Sequence, residues 1–574
     1  MGLFKKNKSD TPIDAQLAAQ KSARTKYRWK LILGLFGPFA LQSFDTTVIA
    51  SALGTIAVDF DQLNQFNWII SSFNLTSTAS FFFWAQIADV FGRHVAIQAS
   101  IIIMMIGSAI CTGAPTSSFG ALLLGRAIQG IGCSGVNICV RTILADKVSL
   151  EEFAANWTIF VLISGVSFGI GPLVGGYLTE VSWRWCFAIN LPICAASMLL
   201  VVLVLRKELL GPQPIAGLDE NLPNGRRATV LRRLSTIDYG GQILFLCGIG
   251  LLVLALTWAG GSYSWGSAHV LAPLIIGAAL TVVWIFYERE MAPGRHMSRV
   301  FPRQKAMMPW AILTQRENCL TFGINMTSGM AIYAIMYFLS LYFTLVDGQS
   351  SRDAGLQLLY YMPGLTGKYL IPCLKELVAN CVLVGVYTAV FATKRWPRQT
   401  YAPLLLGAVI TAVAITVLTW AVHEHNNNVV YAMMALVGYG VMLRMNPAAV
   451  HALAYFPDMT ARITCLTTFA LPFGGLFGLT LMSTVFNNKT IGDHEDPKTA
   501  IMWAFVSLIP FMWMCVLFSV FLGNVWIGQD GGHEALEGSY LWQLITRKTM
   551  VKTNFSRTDA TVELHKIETA DNRV

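Results

Sequence analysis

The sequence predicts an all-α polytopic membrane protein of fourteen crossing helices, grouped six, two and six, with both termini in the cytoplasm. Composition is the first reason. Of 574 residues, 54% are hydrophobic and 13% charged, and the mean hydropathy is +0.54. A soluble chain carries roughly 25% charged residues. Segment length is the second, because a crossing helix needs about 20 apolar residues. Charge distribution is the third. When the segments alternate sides from a cytoplasmic N-terminus, 32 Lys and Arg fall in cytoplasmic segments and four outside: Arg184, Arg352, Lys489 and Lys498. That asymmetry obeys the positive-inside rule. It also accounts for the net charge of +9 without a nucleic-acid partner.

The crossing segments are expected at 32–57, 68–88, 95–113, 120–143, 157–178 and 187–205, then 238–257 and 269–287. The last six are 321–345, 353–391, 401–422, 429–455, 463–485 and 501–523. The organisation follows: a cytoplasmic segment 1–30, a six-helix half 31–205, linkers with a central pair 206–320, a second six-helix half 321–523, and a cytoplasmic tail 524–574. No cleavable signal peptide is visible, since residues 1–30 hold eight Lys and Arg and the first apolar run is long enough to span. Eleven scattered cysteines, with no CxxC pair, read as small core residues and not as a disulfide or zinc framework. The tail stretch YLWQLITRKTM reads as an ordinary short helix or as one lying on the membrane surface.

Three stretches carry more than hydrophobicity. AQIADVFGRHVAI joins the second and third segments. There Gly92 permits a tight turn, Asp89 can hold the start of the next helix, and Arg93 can pair across. LLLGRAIQGIGCSGVNICVR places Arg126 about two turns inside an apolar helix. A buried charge there faces a partner or a water-filled path. Gly130, Gly132 and Gly135 give that helix a thin face for close packing. SGVSFGIGPLVGGYL contains Pro172 with Gly171, Gly175 and Gly176, which suits a hinge or tight packing.

Together these stretches resemble the major facilitator superfamily over roughly residues 30–525. AQIADVFGRHV resembles its loop 2–3 signature, with Ala85, Val90 and His94 in place of the usual glycine and basic residues. LLLGRAIQG is similar to its fourth-helix arginine motif. GPLVGG is similar to its fifth-helix antiporter motif, with Ser167 for the leading glycine. FDTTVIASALGTIA, with Gly54 where proline is usual, and WRWCFAINLPI resemble the fourteen-span drug:proton antiporters. The resemblance is greatest to fungal members that export toxins or drugs. It implies a major facilitator fold and a transporter that exchanges protons for small organic molecules.

Asp45 lies near the middle of the first segment. Low dielectric disfavours the charged form of a lone carboxylate, which suits a group that takes up and releases protons. Asp45 and Arg126 are therefore the expected proton-coupling residues, and Asp45→Asn is expected to abolish proton-driven export while leaving expression intact. Arg444 and His451, seven residues apart, share a helix face. They either contact an anionic substrate or cap polar gaps. Asn325, Tyr333 and Tyr337 either line a cavity or pack. Asn488 heads an Asn-Lys-Thr sequon in an expected external loop.

The leading function is proton-coupled export of small apolar or amphipathic compounds by a monomer in the plasma membrane, or alternatively the vacuolar membrane. The competing readings are import of a siderophore-like chelate or basic amino acid, and a nontransporting receptor. An enzyme is not expected, since HExxH, P-loop and GxSxG patterns are absent. No metal or other cofactor is expected.

Segment 353–391 is too long for one crossing, and residues 367–384, GKYLIPCLKELVANCVLV, load it with Lys368, Lys375 and Glu376. Two crossings would put the basic KRWPR run outside, against the charge rule. Codons for Gly-Lys-Tyr can contain GTAAGT, those for Ala379-Asn380 CTAAC, and those for Leu383-Val384 a terminal TAG. These are the marks of a retained, in-frame intron of about 51 nucleotides. Splicing would leave MPGLTVGVYTAVFATKRWPRQ and a crossing of about 22 residues.

Overall fold

The computed structural model describes residues 12–61, 67–146, 150–206, 209, 211, 226–259, 263–349, 357–358, 361, 388–389, 391–392, 398–455, 460–492, 496–527, 533–536, 538–546 and 552–555. The first half contains α1 (Pro12–Asp59), α2 (Asn67–Phe91), α3 (Arg93–Gly113), α4 (Phe119–Ala145), α5 (Leu150–Val181), α6 (Arg184–Ala188) and α7 (Asn190–Leu200). A π-helical turn, Val201–Leu205, extends α7. Then come α8 (Arg226–Leu234), the central pair α9 (Tyr239–Trp258) and α10 (Ala268–Glu290), and the short α11 (His296–Val300) and α12 (Trp310–Thr314). The second half holds α13 (Arg316–Tyr333), a π-helical stretch Ala334–Leu339, α14 (Ser340–Leu345), α15 (Tyr401–His423), α16 (Asn427–Tyr455), α17 (Thr460–Asn487) and α18 (Pro497–Phe521).

Among the described residues, eleven helices are long and apolar enough to cross a membrane. α2 and α5 have the length but are not among them, α2 being diluted by Ser, Thr and Asn. The expected segments other than 353–391 coincide with described helices. Residues 367–384 lie outside the described residues.

The all-α expectation needs one correction. After α18 the tail forms β1 (Val525–Ile527), β2 (His533–Leu536), α19 (Tyr540–Thr546) and β3 (Lys552–Phe555), and the strands make one antiparallel sheet in the order β1-β2-β3. The sheet is held on the second half. The Thr400 amide donates to the Val525 carbonyl (3.1 Å), the Tyr401 amide to Asn524 Oδ1 (3.2 Å) and the Tyr455 hydroxyl to the Leu536 carbonyl (2.8 Å).

Glycine seams set the helix spacing, as expected where apolar lipid gives helices no hydrophobic reason to associate. A Cβ on Gly130 would overlap Phe73 O and Thr76 Oγ1 of α2, and one on Gly132 would overlap Met104 N of α3. The thin face read on α4 therefore packs on both neighbours. In α5, a Cβ on Gly171 would overlap Thr47 Oγ1 of α1, but one on Gly176 would meet nothing within 4 Å. Close approach is thus seen at Gly171 and not at Gly176, and α5 runs as helix through residue 172.

The hydrophobic cores are distributed unequally. At the end carrying the basic linkers and the tail, both halves share one core: Ile143, Leu144 and Phe160 pack in the same cluster as Leu453, Ile463 and Phe469. At the opposite end each half has its own, one around Ile56, Phe60 and Trp183, the other around Phe338, Phe343 and Phe505. The central pair joins the shared core. Phe82 of α2, Phe245 of α9 and Phe469 of α17 form an aromatic triangle with centroids 4.7–5.5 Å apart. Asp238 fixes this pair, accepting from the Gly241 amide (2.9 Å), the Tyr287 hydroxyl (2.9 Å) and the Met307 amide (3.3 Å).

At the opposite end of the second half, the Tyr342 hydroxyl reaches His425 Nδ1 (2.9 Å) and Asn427 Oδ1 (3.0 Å), and Asn427 Nδ2 donates to Asp347 Oδ2 (2.9 Å). Burial pushes the Asp347 carboxyl up, with nearby His425 working against the shift.

Candidate functional site

Asp45 and Arg126 meet. Asp45 is 0% exposed, and its Oδ2 accepts from Arg126 Nη1 at 3.1 Å. The carboxylate is not alone, contrary to the expectation from its isolation in the first segment. Oδ1 also accepts from Gln129 Nε2 (2.7 Å) and Asn190 Nδ2 (2.5 Å). Arg126 is equally engaged. Nη1 reaches Gln129 Oε1 (2.7 Å), Nε donates to the Ile69 carbonyl (3.1 Å), and the guanidinium carbon lies 4.3 Å from the Phe73 ring centroid. Gln129 Nε2 also donates to Ser108 Oγ of α3 (3.0 Å). Five helices of the first half therefore converge on one ion pair: α1, α2, α3, α4 and α7. Both charges have a counter-charge and oriented dipoles, which is the condition for burying them at membrane depth. Three donors on two helices hold the one carboxylate, so its contacts tie α1 to α4 and α7.

Gln129 and Asn190 were not among the residues expected from sequence. Gln129 stands three positions after Arg126 on the same helix face, inside LLLGRAIQG, and Asn190 lies inside WRWCFAINLPI. Those positions were the available signal.

The loop 2–3 residues behave differently from the expectation in one respect. Gly92 has φ 90°, as a tight turn requires, but the start of α3 has no side-chain cap. Asp89 instead pairs with Arg93 (2.7 Å), whose Nε also binds Asp146 at the end of α4 (3.0 Å). The turn is thus an ion-paired clasp across α2, α3 and α4. Arg233 of α8 donates to the Val90 carbonyl (2.8 Å), and Gln86 links to Gln242 (3.0 Å) and to the Lys305 carbonyl (3.1 Å). Gly92→Ala should strain this turn, because side chains rarely adopt that φ. We expect a loss of about 1–3 kcal/mol, read as a lower melting temperature of the purified protein.

In the second half, Tyr333 and Tyr337 are brought together, with ring centroids 5.9 Å apart, at the start of the π-helical stretch. Both are half-buried, and Tyr337 lies within electrostatic reach of Arg126 in the other half. Asn325 is buried within α13. Arg444 and His451 do not act on one group. His451 Nδ1 meets Thr400 Oγ1 (2.8 Å) and Nε2 meets Glu317 Oε2 (3.4 Å), which also accepts the Gly523 amide (2.8 Å). His451 therefore closes a polar gap. Arg444, two turns earlier, has Cys515 Sγ as its hydrogen-bond partner (2.8 Å). Asn488 is exposed in the π-helical turn after α17. Among the described residues no cluster of His, Cys, Asp and Glu could hold a metal ion, and nine described cysteines are free.

The chain matches the Major Facilitator Superfamily profile over residues 35–479. It is 28% identical to "Efflux pump FUS6" of Gibberella moniliformis (strain M3125 / FGSC 7600) over 483 residues, covering 84% of this chain and 77% of that protein. It is also 28% identical to "MFS-type transporter ucsD" of Acremonium sp over 467 residues (80% and 71%), and to "MFS-type efflux pump MFS1" of Arthroderma benhamiae (strain ATCC MYA-4681 / CBS 112371) over 465 residues (80% and 78%). Among solved structures it superposes on an auto inhibited POT family peptide transporter with TM-score 0.53 and 14% identity, covering 85% of this chain and 96% of that one, a likeness of fold alone. A bundle of apolar helices in two halves, with a buried ion pair in the first and a matching sequence over most of its length, places the chain in a family of transporters, not enzymes: it belongs to the Major Facilitator Superfamily.

Proposed function

We propose that this protein is a proton-coupled exporter of small apolar or amphipathic organic compounds, working as a monomer by alternating access. Its fourteen crossings are arranged six, two and six, with both termini in the cytoplasm of a cell whose plasma membrane it occupies. The observation that carries this reading is the buried Asp45–Arg126 pair with its ring of amide donors. A group that can be protonated inside the membrane, held by several helices at once, is what coupling to an ion gradient requires. The unequal cores support the alternating motion: a shared core at the basic end and separate cores at the other suit a state closed inward and parted outward. Half-buried Tyr333 and Tyr337, the latter within electrostatic reach of Arg126, support the reading of a substrate wall beside that pair. The outward direction follows from relatives named as efflux pumps.

A deletion strain should retain the exported compound, identified by comparing its metabolites with those of the parent. Reconstituted protein should then move that compound only under an imposed pH gradient. Flux that ignores the gradient removes the coupling, and uptake by cells in place of release replaces export with import.

Residues 367–384 are proposed to be a retained intron. Sequencing the cDNA should show the major transcript joining codon 367 to codon 384 in frame. A major transcript that keeps these codons overturns that reading.

A further inference from the structure

The second half contains a cation that the transport reading does not use. Arg444 lies within α16, 0% exposed, pressed against α15 where a Cβ on Gly407 would stand 3.1 Å from Arg444 Cβ. Nη1 donates to the Cys515 thiol, a weak acceptor. Among the described residues Nε and Nη2 have no hydrogen-bond partner, and no carboxylate forms an ion pair with this guanidinium. Arg126 in the first half has a carboxylate, a carbonyl, an amide oxygen and an aromatic face. Among the described residues Arg444 has one sulfur.

A guanidinium cannot escape this by losing its proton. Burying it without a counter-charge is costly, and the cost is relieved only when an anion arrives. The geometry of the unpaired donors narrows what that anion is. Nε–H and Nη2–H form one edge of the planar guanidinium and point in parallel, the arrangement that grips the two oxygens of a carboxylate. Tyr361 is buried, its hydroxyl has no partner among the described residues, and it stands within electrostatic reach of Arg444.

We propose that Arg444 and Tyr361 form an anion subsite that receives a carboxylate group. The carboxylate belongs either to the transported compound, an inference that rests on the export reading above, or to a small free anion that neutralises the bundle. His451 is outside this subsite, being occupied by Glu317 and Thr400.

The test uses the full-length purified protein in nanodiscs, with benzoate as the carboxylate probe, benzamide as its neutral counterpart and chloride as the inorganic ion. Benzoate should raise the melting temperature saturably, and benzamide should not. Arg444→Gln should abolish the benzoate shift, yet without benzoate should melt no lower than the parent, because an uncompensated buried charge has been removed. Tyr361→Phe should weaken the apparent benzoate affinity roughly fivefold, the loss of one hydrogen bond. If Arg444→Gln does not fold, Arg444→Lys decides, since it keeps the charge but loses the fork and should lose benzoate binding selectively over chloride. Flux of labelled benzoate in proteoliposomes separates the sources: carried benzoate marks a substrate group, and bound but uncarried benzoate marks a free-anion site. No benzoate shift in the parent, or an undiminished shift in Arg444→Gln or Arg444→Lys, overturns the proposal. The export reading fails on its own test, flux of the retained compound that ignores the pH gradient, and that result leaves benzoate binding at Arg444 untouched.

Discussion

Asp45→Asn should bring pH-gradient-driven flux down to the level of empty vesicles, and it should also lower the melting temperature. The second effect revises the simpler expectation that expression would be untouched. Asp45 offers two acceptor oxygens to three donors, Arg126, Gln129 and Asn190. An asparagine offers one oxygen and turns an NH2 group toward at least one of those donors. Arg126 keeps Gln129 Oε1 and the Ile69 carbonyl but has lost its negative partner. Removing one member of a buried pair costs about 3–5 kcal/mol, mainly because the other charge is left behind. Arg126→Gln should cost a similar amount. The double variant Asp45→Asn/Arg126→Gln should therefore melt well above the sum of the two losses, since neither charge remains stranded. It should still fail to couple flux to the gradient. Those two readouts separate a structural brace from a proton site. A brace is rescued in both, a proton site only in stability. A well-folded Asp45→Asn protein with full gradient-driven flux would remove Asp45 from the coupling step.

The parts of this site that could be read from sequence are those that lipid makes expensive. A carboxylate and a guanidinium in apolar segments stand out because nothing but a partner or water permits them there. Asp45 and Arg126 were legible for that reason, although 81 residues separate them. Gln129 and Asn190 were not, because neutral amides are common in such helices and nothing local says which carboxylate they face. Asn190 reaches Asp45 across 145 residues of chain. Arg444 and His451 show the opposite limit. Seven-residue spacing does place them on one face of α16, but neighbours decide the chemistry: α13 and the residues before α15 satisfy His451, while α18 gives Arg444 a single sulfur. The tail sheet was illegible because its strands are three or four residues long and are specified by their partners, β1 by residues 398–400, β2 by β1 and β3, and β3 by β2, not by their own pattern. Glycines were legible in part. Gly130 and Gly132 act as read, and Gly176 faces open space. A glycine in sequence announces permission for close approach without saying whether a neighbour uses it.

Gly474→Val should be the most disruptive single change in the second half, and it was not marked out by any charge or motif. A Cβ on Gly474 would overlap the Met326 carbonyl of α13, and one on Gly329 would overlap the Leu471 carbonyl of α17. Each helix thus presses backbone to backbone on the other. Gly475 continues the seam against the Tyr333 ring, and Gly478 against Met330. Neither obstructing carbonyl can swing aside as the tip of a long side chain would. The helices must separate, and every contact along the seam loosens with them. Overpacking a tight interior costs about 1–3 kcal/mol and more where backbone blocks the way. In a membrane this packing is itself the main force holding helices together. We expect Gly474→Val to reduce the monodisperse fraction in fluorescence-detected size exclusion at least tenfold, with Gly176→Ala, which adds a methyl where nothing lies within 4 Å, leaving it unchanged. The consequence reaches beyond stability. α17 carries Phe469 into the core shared by both halves, and α13 leads into the π-helical stretch that holds Tyr337 near Arg126. A seam without slack makes α13 and α17 move as one body, so parting the shared core must also shift Tyr337 relative to Arg126. A normally folded and stable Gly474→Val protein would show that the two helices are not in backbone contact, and that rigid link would be lost.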